Sequence, residues 1–179
     1  MNTTKNSAIE QSDEGNLPRW LALIIALFFW VILLPLVHAG IPWVLSLITP
    51  RYGWREGQPG AWNWLGLVPV VLATICLLWL MILHFSRIPR RLKLERTPTY
   101  LLTRGPYRFS RNPMYIAELM LWFGWAIFYG SIIIFVAVLV MAPLMNKRVV
   151  MREERDLEAR FGESYLEYKN KVPRWFGKR

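Results

Sequence analysis

The chain has 179 residues, of which 54% are hydrophobic and ten are tryptophan, with a formal net charge of +10. That length suits one domain, and the composition, with its charges segregated from its apolar runs, argues against a soluble one. The basic balance is read as a signal of membrane topology and of contact with anionic lipid, not of nucleic-acid binding.

The first 16 residues are polar and expected to be disordered. No Asp, Glu, Lys or Arg occurs from Trp20 to Pro50 or from Gly57 to Ser86, and from Asn112 to Asn146 the only one is Glu118. A transmembrane helix needs about 20 apolar residues. Four spans are therefore predicted, roughly 19–40, 62–85, 113–129 and 131–147, the last two forming a tight hairpin that turns near Gly130-Ser131. Trp20, Trp43, Trp62 and Trp64 lie near the span ends, as interfacial aromatics do. The first run is too long, and its leader too acidic, for a cleaved signal peptide. The stretch 41–50, IPWVLSLITP, reads either as a re-entrant piece or as an interfacial turn. His38 and His84 fall at predicted span ends and read as interfacial or hydrogen-bonded residues, not haem ligands. Cys76 stands alone in mid-span, so no multi-cysteine metal site is expected.

The loop from Arg87 to Arg111 carries eight Lys or Arg and the tail from Lys147 carries ten, against Arg51 and Arg55 alone between the first two spans. The basic loop and tail are therefore expected in the cytoplasm. With four spans, both termini lie there too.

The loop ends in LLTRGPYRFSRNPMY, 101–115. Gly105-Pro106 is a turn signal, and Asn112-Pro113 reads as an N-cap followed by proline at the first helical position. On a helix from Pro113 to Tyr129, the residues Tyr115, Glu118, Trp122, Trp125 and Tyr129 fall within about 80° of one another. The other faces are apolar and suit lipid. A carboxylate inside a span costs roughly 2.5–3.5 kcal/mol and normally faces a cavity or a partner.

Asn146 to Phe161 reads as a helix closed by Gly162. Val150, Glu154, Leu157 and Phe161 share one of its faces, and Arg148, Arg152 and Arg155 the opposite one. Glu154 is thus turned inward, either toward a ligand or into an ion pair with an arginine of the 104–111 loop. A further short helix after Ser164 places Tyr165, Tyr168 and Val172 together and ends at Val172-Pro173. The expected fold is an all-α integral membrane protein with about four spans, whose C-terminal cytoplasmic helices cover a pocket at the membrane surface.

The run GPYRFSRNPMY, a hydrophobic hairpin, and then EERDLEARFGESYLEYKNKVPRWF resemble the isoprenylcysteine carboxyl methyltransferase family, within the wider group that includes phospholipid methyltransferases. The resemblance covers about Thr99 to Phe176. It implies an S-adenosylmethionine-dependent methyltransferase and divides the chain into a polar leader (1–16), N-terminal spans with the basic loop (17–98) and a cofactor-binding region (99–179). By resemblance, Thr99, Tyr100, Leu101, Leu102, Tyr107, Asn112, Pro113, Met114, Tyr115 and Glu154 hold the cofactor. Asn112 stands where the family has histidine, Ala117 where it usually has glycine, and Val150 where eukaryotic members keep a substrate-binding arginine. Arg108 and Arg111, with Arg104 beside them, are the expected holders of a substrate carboxylate or phosphate, and the first two are taken as catalytic. Glu118, Trp122 and Trp125 are expected to line the path of a lipophilic or small-molecule acceptor arriving from the lipid. The expected location is the cytoplasmic membrane of a bacterium, with neither nucleic acid nor metal as partner. The competing readings are a reductase binding NADPH, or a non-catalytic membrane protein holding haem, in the same pocket.

Overall fold

The computed structural model describes residues 16–87, 91–93 and 100–176. The polar leader up to residue 15 and Thr99 lie outside the described residues. What is described is mostly helical, and three helical runs are long and apolar enough to cross a membrane: Trp20–Leu47, Ala61–Phe85 and Ile132–Phe161.

The first run, α1 (Trp20–Leu47), is longer than the expected 19–40. Pro35 has no N–H to donate, and its ring crowds the preceding turn. The turns on either side, Phe29–Leu33 and Leu36–Gly40, widen to π geometry and the helix goes on. It continues through Ile41–Leu47 with Pro42 buried. Residues 41–47 are therefore neither a re-entrant piece nor a turn. Gly40 and Pro42, which read as breakers, are absorbed by the widened turn. For the same reason His38 lies within the helix and not at its end.

A 3-10 turn, Ala61–Gly66, leads into α2 (Leu67–Phe85). Then come α3 (Pro113–Tyr129) and α4 (Ile132–Met145), joined at Gly130-Ser131 as expected. Gly130 has φ +58°, and a Cβ there would strike the backbone of Tyr52, so only glycine serves. Helix α4 does not stop at 147. Pro143 is followed by a π turn, Asn146–Val150, and the run continues as α5 (Met151–Phe161). Gly162, at φ +53°, turns the chain into α6 (Glu163–Lys171).

At 17 residues, α3 is about 25 Å long, below the 28, 25 and 30 residues of the three long helical runs. It sits at the centre of the bundle, with Ala117, Leu121, Trp122, Gly124 and Ala126 buried. Gly124 lies so close to Gly66 that a Cβ on either would meet the other's carbonyl oxygen, the close approach that small residues permit between membrane helices. Its apolar faces, expected to meet lipid, pack mostly on α1, α2 and α4, and Phe123 is its only exposed large hydrophobic. A helical wheel cannot separate the two environments, because lipid and a neighbouring helix suit the same side chains. The apolar surface faces outward from the other helices instead, for example at Phe28 and Val31, Val71 and Ile75, Val136 and Leu139.

Two ends of the bundle are distinct. At one, the strand Asn16–Pro18 pairs antiparallel with Arg91–Lys93, so the start of α1 lies beside the basic loop. At the other, Trp54–Arg55 pairs with Gln58–Pro59, and the Tyr52 N–H donates to the Gly130 carbonyl at 3.0 Å. Asn63, with 0% exposure, ties this end together. Its Nδ2 donates to the carbonyls of Tyr52, Ile127 and Phe128, and its Oδ1 accepts from the Gly60 N–H. Those α3 carbonyls belong to its last turn, where the regular i+4 donors run out and Ile127 has only the Gly130 N–H from the backbone.

Candidate active site

The loop-side end holds a cleft walled by the end of α2, residues 100–115, α5 and α6. Gly105, at φ +60°, begins a 3-10 turn, Gly105–Arg108, that packs Tyr107 inward. His84, on the last turn of α2, sits between two hydroxyls: Tyr100 at 3.0 Å from Nδ1 and Tyr107 at 3.2 Å from Nε2. Tyr168 donates to the Tyr107 carbonyl at 2.8 Å. Burial raises the pKa of Tyr100, Tyr107 and Tyr168 above the usual phenol range.

Glu154 is 5% exposed. The Arg174 Nε and Nη2 donate to its two oxygens at 3.1 and 2.8 Å, the Asn112 amide donates at 3.3 Å, and the Arg111 guanidinium lies 3.3 Å away. The inward face of α5 is as expected: Val150 and Glu154 are buried, while Leu157 and Phe161 pack on Tyr165, Tyr168 and Val172. The expected ion pair with a loop arginine is made by Arg111. Arg174, beyond the Val172-Pro173 break, was not foreseen. The 173–174 strap crosses the loop turn: Arg111 N–H donates to the Pro173 carbonyl at 2.9 Å, and Ser110 Oγ and Asn112 Nδ2 donate to that of Arg174. Asn112 thus occupies the N-cap position without capping α3 through its side chain, because its amide is drawn to the tail. Pro113 is at the first helical position as expected.

The next carboxylate, Glu153, accepts from the Tyr115 hydroxyl at 2.7 Å. The Arg111 Nε and the Tyr165 hydroxyl are buried without a hydrogen-bond partner of regular geometry. Burial, and then the charge of Glu154, push the Tyr165 hydroxyl up to about 12, with Arg111 opposing. The folded state therefore holds this proton to higher pH than the unfolded chain, which releases it near 10.0. The contribution of this group to stability is level below pH 10 and falls as the pH rises through this window. Tyr165→Phe should flatten part of that fall, read as the change in denaturation midpoint between about pH 9 and about pH 11.

The sequence-predicted residues Tyr100, Leu101, Leu102, Tyr107, Asn112, Pro113, Met114, Tyr115 and Glu154 all line this cleft, together with Arg111. His84, Glu153, Leu157, Tyr165 and Tyr168 line it as well. Of these, Glu153 is not among the expected residues because an ideal wheel puts it to one side of Glu154. Arg108 does not join them: it is exposed and lines a separate surface cleft with Thr103, Ser164 and Glu167. Arg104 is exposed too. The free space in the cleft is about 70 Å³, well below the roughly 300–1,000 Å³ of small-molecule sites. A nucleoside-sized guest therefore needs the wall formed by α6 and the strap to draw back.

Deeper in the bundle an apolar groove of about 350 Å³ runs between α1, α2 and α3, lined by Trp30, Leu34, His38, Leu77, Leu121 and Trp125 among others. Trp125 lines it. Trp122 does not, being packed with Ala126 and Ile134 against α4. Glu118 faces His38.

The sequence profile of the family described as phospholipid methyltransferase matches residues 61–164, more than half of the chain. An uncharacterized protein of Haemophilus influenzae is 34% identical over 62 residues, 35% of this chain and 98% of that protein. The cobalt-zinc-cadmium resistance protein CzcN of Cupriavidus metallidurans is 30% identical over 112 residues, 63% of this chain. The chain spans 47% of that relative's length. No solved structure gives a significant match.

Proposed function

The chain belongs to the phospholipid methyltransferase family of membrane methyltransferases, and we propose that it uses S-adenosylmethionine to methylate a lipophilic or small acceptor at the cytoplasmic face of a bacterial membrane. The observation that carries this reading is the cleft itself. Residues far apart in the chain, from 84 through 100–115 to 153–168, converge on one aromatic-lined site that holds Arg111, Glu153 and Glu154.

The donor set suits the cofactor's chemistry. Glu153 offers a carboxylate to an ammonium group or to ribose hydroxyls. Arg111, half-satisfied by Glu154, and the Tyr165 hydroxyl offer donors to a carboxylate or to ring nitrogens. Tyr107, Tyr115 and His84 offer ring faces. Glu154 holds Arg111 and the strap in register around these groups, and with Tyr100, Leu101, Leu102, Asn112, Pro113 and Met114 it completes the wall. When bound, the cofactor supplies a methyl group already activated by its sulfonium. What remains for the chain is to align the nucleophile and keep water out, a proximity effect that can supply several kcal/mol and up to about 10. Arg111 is the loop arginine placed to act here. The groove beside Trp125 is the path by which an apolar acceptor approaches, and its lining includes His38, 4.0 Å from Glu118.

The four helices run alternately between the two ends of the bundle, and we place all four across the membrane. In that arrangement α3 is the shortest span, shielded by the others, and the strand Asn16–Pro18, the basic loop and the tail share the cytoplasmic side.

Membranes containing the protein, incubated with S-adenosylmethionine labelled in its methyl group, should transfer label to the lipid or small-molecule fraction. Membranes carrying Glu154→Ala should not. Absence of transfer to every fraction, protein included, would remove the reading.

A further inference from the structure

The cleft and the apolar groove come within about two helical turns of each other on α2 and α3. On α3, Tyr115 lines the cleft and Leu121 the groove, with Glu118 one turn from each. On α2, His84 lines the cleft and Met81 the groove, again one turn apart. The π turn Leu36–Gly40 packs on α3 and brings His38 Nε2 to 4.0 Å from Glu118 Oε1, with side-chain exposures of 13% and 15%. The other ring nitrogen, Nδ1, lies 3.0 Å from the Leu34 carbonyl oxygen. That oxygen only accepts, so Nδ1 holds the proton and Nε2 of the neutral ring presents a lone pair. A carboxylate and a lone pair therefore face each other across a gap too long for a hydrogen bond. Among the described residues, no hydrogen bond reaches the Glu118 carboxylate. A carboxylate kept inside a membrane helix for structure alone would have a donor from a neighbouring helix. This one has only another acceptor at 4.0 Å, so its donor is still to be supplied.

We infer that Glu118 takes the proton from the methyl acceptor and that His38 is its positioning residue; this rests on the methyltransferase reading above. In the step, the lone pair of an acceptor X–H forms the X–CH3 bond. The bond from sulfur to that methyl group breaks with its electron pair going to sulfur. The proton of X–H passes to a Glu118 oxygen, and the resulting carboxyl group donates to His38 Nε2. The acceptor class is then a thiol, neutral amine or hydroxyl on an apolar body that fits beside Leu34, Leu77 and Trp125. A carboxylate acceptor has no such proton and would meet the charges of Glu118 and Glu153. The titratable groups facing Glu118 are His38 from α1, Glu153 from α5 and Tyr115 from its own helix, with Tyr107 and His84 lining the cleft beside them.

The sequence contains two histidines, so 15N-histidine labelling of the full chain in lipid nanodiscs gives two ring systems, assigned with His84→Gln. The His38 signals should report the Nδ1–H tautomer, and Glu118→Gln should move the His38 titration midpoint while leaving that of His84 in place. S-adenosylhomocysteine, measured by calorimetry, should bind Glu118→Gln and His38→Gln within about twofold of the unsubstituted protein. Methyl transfer by Glu118→Gln should fall by about 100-fold, in the range for loss of a general base, and its rate should lose the rise with pH on the acid side. His38→Gln should fall less and keep that rise at a displaced pH. An unmoved His38 titration in Glu118→Gln, or transfer by that variant at the original rate, overturns the assignment while leaving the methyltransferase reading intact. Failure of the unsubstituted protein to bind S-adenosylhomocysteine removes that reading, and this role with it.

Discussion

Glu154→Ala is expected to abolish binding of S-adenosylhomocysteine and to destabilise the tail by about 3–5 kcal/mol, the cost of removing one partner from a buried ion pair. The carboxylate holds three groups from three parts of the chain: Arg174 of the strap, Arg111 of the loop and Asn112 at the head of α3. Without it, the Arg111 guanidinium, whose side chain is 5% exposed, is buried with no counter-charge. The strap keeps its carbonyl contacts with Ser110, Arg111 and Asn112 but loses its ionic anchor. Glu154→Gln keeps the volume and one acceptor oxygen, and should cost less stability while still weakening binding. Thermal unfolding in detergent, followed by tryptophan fluorescence, separates the two variants. Equal midpoints for Glu154→Ala and the unsubstituted protein would mean that the glutamate does not organise this end.

Asn63→Leu is expected to be as damaging at the opposite end, with no part in chemistry. The leucine is close to asparagine in size but donates nothing. The Tyr52 carbonyl loses its partner, while Ile127 keeps the Gly130 N–H at 3.0 Å, Phe128 the indole N–H of Trp54 at 2.9 Å, and the Gly60 N–H still donates to the Gly53 carbonyl at 2.9 Å. A hydrogen bond contributes about 0.5–1.5 kcal/mol net, and a buried group left without one costs about 1–3 kcal/mol, so the loss of all four Asn63 bonds should reach several kcal/mol. The tie between the 51–63 loop and the end of α3 should open first, read as faster amide exchange at Gly60 and Tyr52. Binding of S-adenosylhomocysteine to the fraction that remains folded should be unchanged, because the cleft lies at the other end.

The apolar runs and the Gly130 turn were legible because charge segregation and a forced positive φ leave direct marks on a sequence. The inward face of α5 was legible because Val150, Glu154, Leu157 and Phe161 keep helical spacing. The extension of α1 to Leu47 was not, since Pro35, Gly40 and Pro42 read locally as breakers. Widening by one residue per turn is a response of the helix that no single residue type announces. That widening also changed the meaning of His38, from a residue at a membrane edge to one facing Glu118. Arg174 was hidden by its position after Val172-Pro173, where the chain leaves the helix and no periodicity says where a side chain goes. Arg108 and Arg111 differ by three residues in a loop whose 3-10 turn sends one outward and one inward, so charge alone could not choose between them. The environment of α3 was misread for a general reason: an apolar face carries no label for lipid or for helix.

The central claim is that the cleft between the 100–115 loop and the tail receives a nucleoside cofactor, and calorimetric titration of the purified protein with S-adenosylhomocysteine tests it most directly. The account predicts one-to-one binding that Glu154→Ala removes and Asn63→Leu leaves intact in its folded fraction. Heat of dilution alone from the intact protein, or binding that survives Glu154→Ala unchanged, would contradict it.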